Sequence, residues 1–382
     1  MMIRQAMLAS FAALAAVPIA ARADDLTIAV VGPMTGPNAS IGEQMKHGAE
    51  LAADAINKKG GVLGRTVKIA IEDDGCEPKQ AVSVANRVQS NNIQFVDGHA
   101  CSGASIPASA VYGDAGILMM TPASSNPKLT EDAAARHWPT ILRLYGRDDA
   151  QGAFIGPWIA KHYGTGKIAV LHDKSAYGKG LADNVRAGLE KAGIKIADYA
   201  GLNPGEKDYR AVISRLKAEG VTFLYFGGYA TEGGLLKRQA SDAGYDLQLM
   251  MGDSIATPDF WSTSGPAGQG TLFTFPPDGR ESAEAKSALE QFKQINFTPE
   301  GFTLFSYAVV QAIAGGVEKA NSTDPKKVAQ ALRQTRSTPF SARSALTRRG
   351  MFSTLNTTSI NGRTAPTPSF PARTEQCRGG QR

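Results

Sequence analysis

The sequence predicts an α/β fold of two doubly wound parallel-sheet lobes, on three observations. Short apolar strand runs alternate with helical runs almost without break from residue 26 onward, and repeated β-α units of this length build parallel sheets covered on both faces. The 382 residues allow two domains of ordinary size. The last part of the body carries helices only. Those helices need a sheet made of earlier strands, so the chain has to pass between the lobes more than once.

LTIAVVG, Leu26 to Gly32, is a buried strand run. Glu43 to Lys58 has helical spacing, with Met45, Ala49, Ala52, Ala53 and Ile56 on one side. Gly60-Gly61 stops it, as a C′ glycine does. TVKIAIEDD is the next strand, Lys79 to Gln89 a helix, IQFVDG a strand and Ser105 to Tyr112 a helix. GILMMTP is a strand closed by Pro122. A second series starts after Leu142-Arg143. It reads helix Asp149 to Tyr163, strand KIAVLHD, helix Lys179 to Lys191, strand IKIADYA, helix Asp208 to Glu219 and strand VTFLYFGG. Helix Glu232 to Ala243 and strands DLQLMMGD and TLFTFPP complete it. Helices Ala283 to Gln294, Leu304 to Lys319 and Pro325 to Arg336 follow. The expected division is 24–143 plus 276–340 for one lobe and 144–275 for the other.

The two ends read differently from the body. Arg4, the apolar stretch Met7 to Ala20 and the A-x-A site Ala21-Arg22-Ala23 have the order of an export signal. The apolar stretch is shorter than the roughly 20 residues of a bilayer span. Residues 1–23 are therefore expected to be removed, with cleavage after Ala23 and a periplasmic mature protein. No cysteine near the cleavage site offers a lipid anchor. From Ser341 to Arg382 the text has seven Arg, one Glu and no Lys or Asp, is dense in Ser, Thr and Pro, and has no helix or strand period. Such a stretch buries too little apolar surface to offset chain entropy. A disordered or frame-shifted tail is expected, with a genuine basic tail as the other reading.

The tail also accounts for the charge. The chain carries 41 Lys and Arg against 35 Asp and Glu, a net +6. Setting aside the two arginines of the signal and the charged residues of the tail leaves 32 basic and 34 acidic residues, a net −2. The remaining basic residues are scattered, without the clustered face that phosphate contact needs, so nucleic acid is not an expected partner.

Catalytic patterns are missing. The five histidines form no HExxH, and there is no GxSxG, Walker A or GxGxxG. No CxxC or histidine pair points to a metal. Cys76 and Cys101 are the only cysteines of the body, with Cys377 in the tail. Two cysteines in an exported protein point to one disulfide, with two free buried thiols as the other reading. His99 and Cys101 beside Asp97 could form a thiol nucleophile only if Cys76 left the sulfur free.

The loops after strands carry other chemistry. HACSGAS offers the Ser102 hydroxyl and N–H groups near a helix start; TPASSNP offers Ala123, Ser124 and Ser125. Hydroxyls and amides at the positive end of a helix can hold a carboxylate without a cationic side chain. Helix capping explains Ser102 and Ser125 equally well. In the second series Tyr177, Tyr229 and Asp253 each follow a strand. Asp253 could meet an ammonium group or sit in an exposed turn, and the tyrosines could be packing residues.

Taken together, VVGPMTGPNASIGEQ, GAELAADAINKKGGVLG, EDDGCEPKQAVSVANRV, GHACSGASIPAS, GILMMTPASSNP, HDKSAYGKGLA, GEKDYRAVISRLKAEGV, YFGGYATEGGLLKRQA and GFTLFSYAVVQAI resemble the periplasmic leucine/isoleucine/valine-binding proteins of ABC importers, from about Leu26 to Phe340. The resemblance implies a type I Venus flytrap with three interlobe crossovers. It pairs Cys76 with Cys101. It places Ser102, Ala123 and Ser125 around an amino acid's carboxylate and ammonium, with Ala100 and Cys101 beside them. It makes Tyr177 and Tyr229 cleft tyrosines, Asp253 the acid facing the ammonium, and Phe302 a wall of the side-chain pocket. Ile41 stands where well-known members carry Tyr, Ser125 where they carry Thr and Asp253 where they carry Glu. The implied function is delivery of a hydrophobic, branched-chain amino acid to a membrane permease with its ATPase, by a monomer without catalytic activity or cofactor. An amide, urea or aromatic acid as ligand, or a ligand-sensing receptor domain, are the alternatives. Members of the family continue with strands in the second lobe after the point where the tail begins. An unpaired edge in that lobe and a missing third crossover are therefore expected.

Overall fold

The computed structural model describes residues 24–276, 279–334 and 353–354. The signal segment lies outside them, as does all of the tail except Ser353 and Thr354.

The first lobe is laid down in chain order as β1 (Leu26–Gly32), α1 (Ala39–Asn57), β2 (Val67–Asp73), α2 (Pro78–Ser90), β3 (Phe95–Gly98), α3 (Ser102–Ala115), β4 (Leu118–Thr121), α4 (Lys128–Ala135) and β5 (Ile141–Arg143). Its sheet is parallel, in the order β2-β1-β3-β4-β5. β3 and β4 are buried at every residue, as expected for strands covered on both faces. The chain then enters the second lobe with α5 (Asp148–Tyr163), β6 (Lys167–His172), α6 (Ala176–Lys191), β7 (Asp198–Gly201), α7 (Arg210–Ala218), β8 (Val221–Gly227), α8 (Ala230–Asp242), β9 (Gln248–Met251), α9 (Pro258–Ser264) and β10 (Leu272–Phe273). This sheet is also parallel, in the order β10-β9-β8-β6-β7. The chain returns to the first lobe with α10 (Lys286–Gln294), α11 (Thr303–Ala320) and α12 (Pro325–Arg333).

The late helices pack on the early sheet. α11 lies along α1 and reaches β3 and β4, and α12 packs on β4. Gly48 permits the closest approach of α1 to α11: a Cβ there would sit 2.1 Å from the Thr303 carbonyl oxygen. Cys76 and Cys101 form a disulfide with Cα atoms 5.4 Å apart, linking the β2–α2 loop to the start of α3. No helix among the described residues is long and apolar enough to cross a membrane.

Several short elements differ from the sequence reading. α4, β5 and α9 have too few residues to show a period. α1 begins at Ala39 and α3 at Ser102, each earlier than the apolar pattern alone indicates. β10 keeps only Leu272–Phe273 of TLFTFPP. The edge of the second lobe expected to be unpaired is flanked by Ser353–Thr354, antiparallel to β10. Ser353 and Thr354 therefore lie on the second lobe. A two-residue pairing is held by backbone groups and leaves no side-chain period to read.

Candidate functional site

The carboxyl ends of both sheets face each other across a cleft, where open α/β sheets present ligand-binding loops. The cleft has about 290 Å³ of empty space, part of it open to solvent, and is lined from the first lobe by Ile41, Ala100, Cys101, Ser102, Ala123, Ser125 and Phe302. Tyr177, Tyr229, Asp253 and Ser254 line it from the second. The nine residues that the resemblance places at the site all line this one space, while Ser124, which the sequence also offered, does not. Ser254 was not among them, and Ile41 stood out only as a departure from the resembling family.

On the first lobe two turns are tied together by one hydroxyl. Thr121 Oγ1, at the end of β4, donates to the His99 carbonyl at 2.7 Å and accepts from the backbone N–H groups of Ser124 at 2.9 Å and Ala123 at 3.3 Å. The Ser102 hydroxyl oxygen accepts from the Asn126 N–H and from the Ser124 hydroxyl, both at 3.2 Å. With its acceptor capacity used, Ser102 retains its own proton for a ligand oxygen. Helix capping does not account for these serines. The residue before α3 is Cys101 and the one before α4 is Pro127, and the side chain that caps the first N–H of α4 is Asn126, at 2.9 Å, not a serine. Ser102 is the first residue of α3, at the positive end of a 14-residue helix.

His99, Asp97 and Cys101 serve structure. His99 is buried between Asp74, 2.6 Å from Nδ1, and Tyr112, 3.1 Å from Nε2. Asp74 also accepts from the Cys76 N–H at 2.8 Å. Asp97 accepts from the Ser306 hydroxyl, and burial pushes its carboxyl well up. Cys101 is in the disulfide, so no thiolate is available there.

On the second lobe Asp253 is 3% exposed, not the surface turn its position after β9 also allowed. The Tyr177 hydroxyl donates to Asp253 Oδ1 at 2.6 Å. Asp253 Oδ2 is buried and has no hydrogen-bond partner among the described residues. Gly252 makes the approach possible, since a Cβ there would lie 2.4 Å from the Tyr177 hydroxyl. Burial raises the Asp253 carboxyl, against the pull of Tyr177 and then Tyr145. Burial, followed by the charge of Asp253, keeps Tyr177 well above its usual range and therefore a neutral donor. The Tyr177 and Tyr229 rings stand 5.3 Å apart. The Ser254 hydroxyl donates to the Gly228 carbonyl at 2.7 Å, joining the Asp253 turn to the Tyr229 turn.

The apolar end is walled by Ile41 and Phe302, with Tyr145 5.6 Å and Phe275 5.9 Å behind Phe302. The lobes also touch beside the cleft. Ser40 Oγ donates to Asp259 Oδ1 at 2.9 Å, Gln44 Nε2 to the Ala256 carbonyl at 3.1 Å, and Asn126 Nδ2 to the Ala176 carbonyl at 2.7 Å.

Asp148, at the first crossover, is the acid that the sequence reading missed. Adjacent acids at a helix start look like ordinary partners of the helix dipole. Its side chain is fully buried and its N–H donates to the Ser125 carbonyl at 3.0 Å. Burial pushes its carboxyl up to about 7, with Ser125 opposing, Asp253 adding and Arg143 opposing. An aspartate with a higher pKa folded than unfolded favours the folded state most below about pH 4, and that contribution is lost as pH rises through about 7. Asp148→Asn should therefore gain stability relative to the parent between pH 5 and pH 8, by at most on the order of 3 kcal/mol. Urea unfolding at both pH values reads this; a difference that does not change with pH would show Asp148 titrating normally.

The family described as periplasmic binding protein matches residues 25–363. The leucine-, isoleucine-, valine-, threonine-, and alanine-binding protein of Pseudomonas aeruginosa is 45% identical over 312 residues, 81% of this chain and 83% of that protein. Leu/Ile/Val-binding protein homolog 1 of Brucella suis is 43% identical over 310 residues, covering 81% of this chain and 82% of that one. The crystal structure of the leucine-binding protein LivK of Thermotoga maritima superimposes with a TM-score of 0.74 at 25% identity, over 81% of this chain and 88% of that chain.

Proposed function

The chain belongs to the periplasmic binding protein family, and from that premise we propose that it is the solute-binding component of an ABC importer, holding a hydrophobic, branched-chain amino acid between its lobes. The observation that carries this reading is the pairing of opposite polarities across the cleft. Asp253 Oδ2, buried and without a partner among the described residues, is an acceptor for an ammonium group. Ser102, with its proton uncommitted and a helix start beneath it, is a donor for a carboxylate. Ile41 and Phe302 supply an apolar wall for the side chain. The names of the Pseudomonas and Brucella relatives support the same class of ligand.

Ala123 and Ser125 fix the ligand with Ser102 on the first lobe, beside the wall of Ala100 and Cys101. Tyr177, Tyr229 and Asp253 meet it from the second. A ligand that touches both lobes favours the closed form by its contacts there. Export with removal of residues 1–23 would place the protein in the periplasm, where the closed form is presented to a permease and its ATPase. A thermal-shift screen of the mature protein against amino acids, amides, urea and aromatic acids tests the reading, because a ligand specific to the folded state raises Tm by mass action. Leucine, isoleucine and valine are expected to give the largest shifts. A shift with an aromatic acid or an amide and none with any amino acid would overturn it.

A further inference from the structure

We infer that Arg143 is a positioning residue for the anionic end of the cleft: its guanidinium grips the carbonyls on either side of Ser125 and so aims the Ser125 turn at a ligand carboxylate. The inference deepens the amino-acid reading above and rests on it.

Arg143 ends β5 and pairs in register with Thr121 at the end of β4. Its Nη1 donates to the Ser124 carbonyl, and its Nη2 donates to the Asn126 carbonyl at 2.6 Å. Ser125, the one residue between those two, lines the cleft. The Ser124 carbonyl and the Ser125 N–H belong to the same peptide unit. A charged donor on the carbonyl strengthens the N–H as a donor in turn. The Asn126 N–H reaches Ser102, so the same grip steadies the hydroxyl on the neighbouring turn.

No carboxylate is hydrogen-bonded to the guanidinium among the described residues. Arg143 is partly buried, and burial lowers its pKa only to about 10, so it is cationic at neutral pH. Asp148 is the foremost charge acting on it, yet both Asp148 carboxylate oxygens and Arg143 Nε are buried without a hydrogen-bond partner among the described residues. A cation with no carboxylate bonded to it, set behind a turn of neutral donors, favours an anion on the far side of that turn. The donors at this end of the cleft are neutral, as residue types alone indicate; the cation stands one peptide unit behind them.

Calorimetric titration with L-leucine and with L-leucinamide, which keeps the ammonium and the side chain but lacks the anionic carboxylate, tests this on the parent, Arg143→Lys and Arg143→Gln. Lysine keeps the charge but lacks the planar fork that spans two carbonyls. Leucine affinity is expected to fall about 3- to 10-fold in Arg143→Lys and about 10- to 100-fold in Arg143→Gln, while leucinamide affinity falls less than about threefold in Arg143→Lys. Equal losses for the two ligands would assign Arg143 to folding alone, and Arg143→Lys binding leucine like the parent would remove the fork from the account, even if Arg143→Gln does not fold. A parent protein that binds neither ligand would instead remove the amino-acid reading itself.

Discussion

Replacing Asp253 by Ala is expected to weaken binding of a branched-chain amino acid by about 2–5 kcal/mol, roughly 30- to 5,000-fold. The carboxylate is the acidic group of the cleft wall and is itself buried, so the ammonium of a bound amino acid would lose a charged partner that is shielded from water. Neutral hydroxyls cannot replace a charge there, because low polarity around the pair strengthens what is lost. The same substitution should act in the opposite sense on the empty protein. Burial raises the Asp253 carboxyl above its ordinary value, so ionising it costs folding stability, and removing it returns part of that cost. Calorimetry and urea unfolding on one preparation separate the two effects. Unchanged affinity would take Asp253 out of the site.

The second large effect is expected from the disulfide. Cys76 and Cys101 are 25 residues apart in sequence, and a closed loop of that length is worth about 3 kcal/mol in the chain-entropy account. The double variant Cys76→Ser, Cys101→Ser should lose about that much in urea unfolding. The parent should show the same loss when unfolded in the presence of a strong reductant. Affinity should fall as well, because Cys101 lines the cleft directly before Ser102. The Asp74–His99–Tyr112 hydrogen bonds remain and keep part of the wall in place. Equal stability of the oxidised and reduced parent would contradict this.

The long elements were legible because burial on one side or on both writes a period into the chain. The strands from Leu26 and Val221, and the helices from Ala39 and Thr303, are of this kind. The loops that carry the site were legible as strand ends, which the parallel fold brings to one edge of each sheet. Ser102 and Ser125 could be found but not interpreted, since a capping serine and a ligand-holding serine are the same residue type after the same kind of strand. The identity of the residue that precedes each helix decides between the two. Arg143, Tyr145 and Asp148 were not legible as site residues. Their importance comes from the path of the first crossover, which brings residues 143 to 148 from the end of β5 to the start of α5 beside the Ser125 turn, and no local pattern encodes that path. Ser353–Thr354 escaped for a different reason: backbone pairing of two residues leaves no trace in side-chain composition.

The central claim is that an amino acid lies between the lobes with its ammonium on the second and its carboxylate on the first. A crystal structure of the mature protein grown with saturating L-leucine tests it most directly. The account predicts the ammonium within hydrogen-bonding distance of Asp253 Oδ2 and the carboxylate against Ser102 and Ser125, with the side chain toward Ile41 and Phe302. An empty cleft, or a leucine whose carboxylate faces Asp253, would contradict it.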